Sequence, residues 1–283
     1  MDIKIKGTVY RILFKKKFIP VGIKPILSSF KNAKEIRYND GSSLIGKVAL
    51  VTGGHRGIGM AIASCLYREG AKIIITGRDE QKLKKVSSLF DSSRFNYLVW
   101  DISNTVEVEN MLSKAISIYG KLDILVNNAG VNTNKEGKVL NFDSMYPSDL
   151  HFINDINVIG TKNICDAFIK ASPSGTSILN VVSNTALRPA LQSYFISKWA
   201  IYSYTKALVS KCQAKNIAIN GISPGPIKTN MMWKTGDSIV RKSSNRRIGL
   251  PEEIGELAVM IVKSSFKGLN GKIYLSDGGE LLF

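Results

Sequence analysis

Short runs of apolar residues recur along the chain from Lys47 onward, and segments with the pattern of helices separate them. The first run is Val48 to Thr52, and a helix is predicted from Met60 to Glu69. The further predicted strands are Lys72 to Thr76, Asn96 to Asp101, Leu122 to Asn127, Ser177 to Val182, Ile217 to Ile222 and Lys272 to Leu275. Strands that are apolar throughout are buried on both faces, and their alternation with helices is typical of a parallel sheet covered on both sides. The pattern therefore predicts an α/β protein with about seven parallel strands.

The glycine-rich turn after the first strand predicts a nucleotide site. It runs from Thr52 to Gly59 and leads into the first helix, with the spacing Gly-x-x-x-Gly-x-Gly. Glycines at such a turn let the backbone approach a pyrophosphate at the N-terminus of the helix. We therefore expect a Rossmann-like, doubly wound sheet that binds a dinucleotide. The expected contacts from the turn are Gly53, Arg56, Gly57, Ile58 and Gly59.

The end of the second strand bears on which dinucleotide binds. NAD-binding chains carry an acidic residue about 20 residues beyond the glycines, but this chain has Gly77 there, followed by Arg78. Arg78 and Arg56 could bind a 2′-phosphate through charge-assisted hydrogen bonds. Asp79 is a rival ligand, but its place is that of the N-cap of the next helix. The sequence thus favours NADP(H) over NAD(H), with solvated loop charges as the alternative for each arginine.

Tyr194 and Lys198 are four residues apart and share one face of a predicted helix. A free tyrosine has a pKa of about 10, which is too high for ready proton exchange near neutral pH. A nearby positive charge favours the phenolate and lowers that pKa. The pair is therefore a candidate acid–base couple, although the same spacing also occurs in exposed helices without any function.

These segments together resemble the short-chain dehydrogenase/reductase family in its single-domain form, and the resemblance extends from Leu44 to Gly279. Apart from the glycine-rich turn and the Tyr194/Lys198 pair, the matching segments are Asp101 with Ile102, Asn127 to Gly130, Asn157, Ser183, and Pro224 to Thr229. Besides the contacts given above, the resemblance implies cofactor contacts from Asp101, Ile102, Asn128, Ala129, Gly130, Tyr194, Lys198, Pro224, Gly225, Ile227 and Thr229.

The resemblance also implies a mechanism in which NADPH passes a hydride to a substrate carbonyl, or the reverse. Tyr194 would donate a proton to the developing alkoxide, and Lys198 would lower the pKa of Tyr194 and bind the nicotinamide ribose. Ser183 would hold the carbonyl oxygen, and Asn157 would fix a water that links Lys198 to solvent. Ser183 lies only eleven residues before Tyr194, which makes the intervening substrate loop short; Thr185 would lie too far into that loop to replace it.

The substrate is the least determined part of the prediction. Met231 and Trp233 lie in an apolar flap after the Pro-Gly segment and are expected to cover a ligand, with simple packing as the alternative. A 3-oxoacyl thioester on an acidic carrier protein is one candidate, and a sugar or sugar-phosphate ketone is the other. A non-catalytic binding protein that uses its basic surface is the alternative from another class.

The chain is strongly basic, with a formal net charge of +17. Residues 1–43 hold ten Lys and Arg against three Asp and Glu, which contributes +7 (10 − 3). We expect a basic N-terminal extension over 1–43 and a single domain over 44–283. The extension is expected to be a loosely docked arm, with peripheral membrane contact as the alternative. No signature of a nucleic-acid-binding motif is present.

Cysteine and histidine usage argues against a metal site. The three cysteines lie far apart and the two histidines stand in unrelated contexts, so no zinc-binding spacing occurs. Sparse, unpaired cysteines are typical of a reducing compartment. The sequence contains no run of 18 apolar residues, so no membrane span is predicted. The sequence therefore predicts a cytoplasmic protein without a metal. The family resemblance implies in addition an enzyme that forms a homodimer or homotetramer.

Overall fold

Seven strands form one sheet in the computed structural model, in the order β3-β2-β1-β4-β5-β6-β7, and all neighbouring strands are parallel. The strands are β1 (Val48–Thr52), β2 (Lys72–Gly77), β3 (Phe95–Val99), β4 (Ile124–Asn127), β5 (Ser177–Val181), β6 (Ala218–Pro224) and β7 (Ile273–Ser276). The order reverses between β1 and β4, and in such sheets ligands bind outside the carboxyl ends of the strands at this switch point. The predicted doubly wound parallel sheet is confirmed.

The structure describes residues 44–139, 146–189, 191–231, 247–263 and 270–282, and they all belong to one compact unit. The predicted N-terminal extension and Trp233 lie outside the described residues. In the described part, no helix is both long enough and apolar enough to span a membrane.

Eight α-helices are described between the strands. They are α1 (Gly57–Arg68), α2 (Glu80–Ser87), α3 (Val108–Tyr119), α4 (Pro147–Asn154), α5 (Thr161–Ala171), α6 (Ser193–Ala207), α7 (Val209–Ala214) and α8 (Pro251–Lys263). Short 3₁₀ helices cover Thr105–Glu107, Asn184–Leu187 and Glu280–Leu282, and a π-helical turn covers Asp155–Gly160 between α4 and α5.

Alternating side chains of β1 build the cores on the two faces of the sheet. Ala49 and Val51 pack in the core that includes apolar residues of α1 and α8, whereas Val48 and Leu50 pack in the core shared with α3 and α5. All four side chains are at most 1% exposed. Burial on both faces is what the uninterrupted apolar strands predicted, and the helices hold the carboxyl ends of the strands in place.

Element boundaries differ from the predictions by a few residues at several ends. The first helix begins at Gly57, three residues before the predicted Met60, and therefore inside the glycine-rich turn. Glycine has a low helix propensity, which conceals this first turn in the sequence. The fourth strand begins at Ile124, two residues after the predicted Leu122, and the carboxylate of Asp123 just before it accepts a hydrogen bond from the backbone N–H of Val48.

Candidate active site

The glycine-rich turn packs closely against the segment that follows β4. The Oγ1 of Thr52 accepts hydrogen bonds from the backbone N–H groups of Asn128 and Ala129, at 3.0 and 3.1 Å. A Cβ on Gly53 would lie 3.0 Å from the Cα of Ala129, and one on Gly59 would lie 2.5 Å from the carbonyl oxygen of Gly53. Because side chains at these places would fill the cradle, the turn fits the close backbone approach that a pyrophosphate requires.

The carboxyl end of β2 carries the predicted ribose contacts. A Cβ on Gly77 would lie 2.8 Å from the Nδ1 of His55, so the imidazole occupies the space of an acidic side chain. Arg78 is mostly exposed, and its guanidinium lies 3.8 Å from the carboxylate of Asp101. Arg56 is exposed beside the turn. The structure thus places both arginines and Asp101 around one end of the crevice.

Two neighbours of this region have other roles. The carboxylate of Asp79 accepts a hydrogen bond from the backbone N–H of Lys82 at 3.0 Å, so Asp79 caps α2 as predicted. Burial lowers the pKa of His55, and the positive charges of Arg56 and Lys82 lower it further. The place of His55 in the acidic slot was missed, because the imidazole comes from the glycine-rich turn and not from β2.

A chain of amide and hydroxyl groups crosses the carboxyl ends of the central strands. Asn127 donates to the Oδ1 of Asn180 at 2.8 Å and to the Sγ of Cys165 at 3.1 Å, and Asn180 donates to the Oγ1 of Thr205 at 2.9 Å. All four residues are buried. Since buried polar groups are costly unless they are hydrogen-bonded, this chain fixes β4, β5 and α6 relative to each other.

Asn157 lies in the π-helical turn between α4 and α5, an irregularity that is frequent at functional sites. Its side-chain amide donates to the carbonyl of Val131 at 2.8 Å and to the Oγ of Ser197 at 2.9 Å, and its Oδ1 accepts from the N–H of Val131 at 2.8 Å. A Cβ on Gly130 would lie 3.1 Å from the Oδ1 of Asn157 and 3.7 Å from the Nζ of Lys198. Asn157 and Lys198 therefore meet over Gly130.

Tyr194 and Lys198 lie on α6 and face the end of β5. The buried Lys198 ammonium donates to the carbonyl of Val181 at 2.9 Å, and its Nζ lies 5.7 Å from the centre of the Tyr194 ring. The Tyr194 ring is partly exposed, but burial of its hydroxyl end raises its pKa to about 12, opposed by a hydrogen bond with the Ser183 hydroxyl. Burial also lowers the pKa of Lys198 to about 8.

These pKa values correct one expectation. The sequence predicted that the lysine charge lowers the pKa of Tyr194, whereas in the structure desolvation is the larger effect and moves it upward. Desolvation disfavours the charged form of any group, and here it acts on the phenolate and the ammonium alike.

Ser183 lies two residues after the end of β5 and begins the short substrate loop. Its Oγ accepts a hydrogen bond from the N–H of Thr185 at 3.2 Å, whereas the Oγ1 of Thr185 is buried and has no partner among the described residues. The next side chain, Asn184, donates to Glu280 at 2.7 Å, and Glu280 also accepts from Arg188 at 3.0 Å. No local pattern indicates Glu280, since it is separated from these partners by more than 90 positions.

The Pro-Gly segment after β6 closes the crevice from the other side. A Cβ on Gly57 would lie 3.2 Å from the side chain of Thr229, so this threonine lies over the glycine-rich turn. Pro224 ends β6, and a Cβ on Gly225 would lie 2.6 Å from the Cα of Asp277. The segment is therefore held between the turn and the C-terminal residues.

The apolar residues predicted at the site fall into two groups. Ile102 and Ile227 are buried, and Ile58 packs against the core, so contact with a ligand is left to their backbones. Met231 is 42% exposed at the end of its described segment, and Trp233 lies outside the described residues.

Comparison with known proteins identifies the family. Residues 53–280 match the family model described as enoyl-(acyl carrier protein) reductase. A 3-oxoacyl-[acyl-carrier-protein] reductase of Chlamydia muridarum is 31% identical over 84% of this chain and 98% of its own length. A short-chain dehydrogenase from Burkholderia cenocepacia, solved in complex with NADP, has a TM-score of 0.77 and 28% identity, and the match covers 85% of this chain and 100% of that one. The chain belongs to the short-chain dehydrogenase/reductase family.

A further solved structure is similar at the same level. The short-chain dehydrogenase/reductase from Brucella melitensis described as a glucose/ribitol dehydrogenase has a TM-score of 0.78 and 27% identity, with coverage of 84% of this chain and 98% of that one. As a short-chain dehydrogenase/reductase, the present protein is an oxidoreductase with a Rossmann-like, nucleotide-binding fold that acts on hydroxyl or keto groups.

Proposed function

We propose that this protein is an NADP(H)-dependent reductase of ketones and that 3-oxoacyl thioesters are its substrates. The observation that carries the reaction type is the convergence of three side chains at the end of β5. The hydroxyl of Ser183 is close enough to the phenol of Tyr194 to lower its pKa, and the ammonium of Lys198 lies 5.7 Å from the centre of the Tyr194 ring. A proton donor and a hydroxyl that can hold a carbonyl oxygen thus stand together beside a nucleotide cradle.

Each side chain has a distinct part in this reaction. The nicotinamide, when bound, supplies the hydride. Tyr194 remains a phenol at neutral pH because burial raises its pKa, so it can donate its proton to the oxygen of the reduced carbonyl. Ser183 donates a hydrogen bond to the same oxygen as negative charge develops there. Lys198 holds a positive charge near the Tyr194 ring. Asn157 fixes the backbone at Val131 and the hydroxyl of Ser197 through hydrogen bonds from its side-chain amide.

The preference for NADP(H) rests on charge and space at the end of β2. The side chain of His55 fills the region where an acidic residue at Gly77 would extend. Arg78 and Arg56 can instead bind a 2′-phosphate. The complex of the Burkholderia relative with NADP supports the same assignment.

The cofactor preference is tested by Arg78→Gln. A hydrogen bond to a charged group contributes about 1.5–3 kcal/mol, so we expect the KM for NADPH to rise roughly 10- to 100-fold while the KM for NADH stays the same. Lys85→Gln, at an exposed position on α2, is the matched loss of a positive charge and should change neither value. An equal rise for both cofactors would contradict a 2′-phosphate contact.

The thioester proposal is supported by the name of the Chlamydia relative and by the charge of the chain. That relative is a 3-oxoacyl-[acyl-carrier-protein] reductase, and a net charge of +17 suits an acidic carrier protein. A sugar ketone is the second candidate, because the similar Brucella protein is described as a glucose/ribitol dehydrogenase.

The decisive experiment measures NADPH oxidation with acetoacetyl-CoA, with a 3-oxoacyl carrier protein and with a set of ketoses, using the wild type and Tyr194→Phe. We expect thioester-dependent oxidation that the carrier protein enhances at low salt, and a loss of about 10²–10⁴-fold in Tyr194→Phe with NADPH binding retained. Oxidation with ketoses alone would replace the thioester by a sugar. Unchanged turnover in Tyr194→Phe would refute the assigned proton donor.

We also propose that the enzyme is a homo-oligomer. Trp199 and Leu275 are 47% and 46% exposed, and the Trp199 ring lies 6.4 Å from that of Tyr202. Ile273, which shares a face of β7 with Leu275, packs on the same small core cluster as Tyr202. We refer to Trp199, Tyr202 and Leu275 as the α6/β7 face. A second copy that covers this face would bury apolar area that is otherwise exposed to water.

A further inference from the structure

The carboxylate of Glu280 is a buried ion within the C-terminal 3₁₀ helix, and it is bound on both oxygens. Its Oε2 accepts from the Nδ2 of Asn184 at 2.7 Å, and its Oε1 accepts from the Nη1 of Arg188 at 3.0 Å. The side chain of Glu280 is 7% exposed, and that of Arg188 is 31% exposed. A charge that is this buried needs partners with good geometry, so the contact specifies how the two segments meet.

One side of this contact is the loop that begins at Ser183. Asn184 directly follows Ser183, and the Oγ of Ser183 accepts from the N–H of Thr185. Arg188 lies just after the 3₁₀ helix of the loop, and its carbonyl accepts from the Nε1 of Trp199 at 3.2 Å. Glu280 therefore holds the loop at both ends of its 3₁₀ helix, next to the hydroxyl that faces Tyr194.

The other side is the turn that leads into the C-terminal 3₁₀ helix. The carboxylate of Asp277 accepts from the N–H groups of Gly279 and Leu281, at 2.9 and 3.0 Å. Gly225 donates its N–H to the carbonyl of Ser276 at 2.9 Å. This turn thus rests on the Pro-Gly segment that closes the nucleotide crevice, and the hydrogen bonds of the Asp277 carboxylate do not involve the side chain of Glu280.

We propose that Glu280 is a positioning residue that fixes Ser183 against Tyr194 by tying the substrate loop, through Asn184 and Arg188, to the turn on the Pro-Gly segment. The inference deepens the proposed ketone reduction and rests on it. Glu280 acts through the loop and touches neither substrate nor cofactor. Without the contacts of Glu280, the loop can move and carry Ser183 away from the carbonyl oxygen. A displacement of a catalytic group by about 1 Å can reduce turnover by about 10²-fold.

The test compares Glu280→Gln with Glu69→Gln. In the first variant the glutamine keeps the length of the side chain but lacks the charge that pairs with Arg188. Glu69 forms a partly buried ion pair with Lys263, at 2.6 Å, outside the site. Hydrogen exchange of the peptide that covers residues 184–188 reports on the loop without any turnover. We expect faster exchange there in Glu280→Gln only.

Kinetics then show whether the loop acts through Ser183. We expect Glu280→Gln to lower kcat for the ketone roughly 10- to 100-fold, with the dissociation constant for NADPH within threefold of wild type. In a Ser183→Ala background the same substitution should change kcat less than twofold, because residues acting as a unit are not additive. Glu280→Asp, which restores the charge, should recover part of kcat.

Three outcomes separate the hypotheses. If the loop exchanges faster in Glu280→Gln but the wild type reduces no ketone, the tie exists and the proposed function fails. If the wild type is active and Glu280→Gln keeps wild-type exchange and kcat, the positioning role is overturned. An equal loss of kcat with and without Ser183 overturns it as well, because that result indicates general structural damage. Should Glu280→Gln fail to fold, Arg188→Gln is measured by the same criteria.

Discussion

Burial shifts the pKa of two neighbouring side chains in opposite directions at the end of β5. That of Tyr194 is raised to about 12 and that of Lys198 is lowered to about 8. Tyr194 therefore stays protonated throughout the accessible pH range, while Lys198 loses its charge as the pH rises through about 8. Because the reaction uses a phenol beside an ammonium, we expect kcat/KM to be level near pH 6–7 and to fall above about 8, since kcat/KM reports the pKa values of the free enzyme.

The measurement is kcat/KM for ketone reduction between pH 6 and 10, for the wild type and Lys198→Arg. Arginine stays charged over this range, so the variant should lose activity overall but also lose the decline near pH 8. A wild-type profile that rises through pH 8 would contradict the need for a charged Lys198.

The same lysine should reduce the stability of the fold. Its pKa falls from 10.5 to about 8, and each unit corresponds to about 1.4 kcal/mol, so the ammonium costs up to about 3 kcal/mol below pH 8. Between pH 8 and pH 10.5 the unfolded state binds more protons than the folded state, so the stability of the wild type rises with pH. The cost of burying the ammonium vanishes above pH 10.5.

We therefore expect Lys198→Met to be inactive but more stable at pH 7 in urea denaturation, with a smaller advantage at pH 10. The lost hydrogen bond to Val181 offsets part of the gain. A variant less stable than the wild type at both pH values would show that the ammonium contributes more by its contacts than it loses by burial.

At the level of elements, the contact between the glycine-rich turn and the segment after β4 leaves no room for a side chain. A Cβ on Gly59 would lie 2.5 Å from the Gly53 carbonyl and would also collide with the Asn128 amide. Overpacking of this kind costs about 1–3 kcal/mol. We expect Gly59→Ala to lower the free energy of unfolding by that amount and to weaken NADPH binding, measured by denaturation and by fluorescence titration. Ser64→Ala on the same helix should do neither; normal NADPH affinity in Gly59→Ala would show that the cradle tolerates the shift.

Elements were easier to predict than contacts, for a physical reason. The central strands are short apolar runs between helices, and this pattern is set by burial on both faces. The edge strands β3 and β7 are only partly buried. The spacing of Tyr194 and Lys198 was readable because four helical residues return to one face. Glu280 and Arg188 meet across 92 positions, and only the folded chain creates that contact.

The predicted direction of the tyrosine pKa was wrong for a similar reason. The sequence contains the charge of Lys198, but desolvation depends on every segment that covers the phenol, including the loop from Ser183. The π-helical turn around Asn157 was also hidden, since its six residues have no distinguishing composition.

At the level of the whole molecule, the proposed oligomer forms by contact between copies at the α6/β7 face. Within the described residues, β7 is the last strand of the sheet order, and an edge with exposed apolar side chains is prone to pair with another chain. A lysine at position 275 would place a charge in a dry contact, which costs several kcal/mol when it is unpaired. Light scattering should therefore give the wild type a mass that is a multiple of 31.1 kDa, and Leu275→Lys a mass closer to the monomer.

Leu89→Lys is the matched control, because Leu89 is 71% exposed but lies after α2, away from this face. It adds the same charge, so a general effect of higher net charge on self-association would appear in both variants. A wild-type mass of 31.1 kDa would refute the oligomer. An unchanged mass in Leu275→Lys, with the wild type oligomeric, would place the contact between copies on another surface of the enzyme.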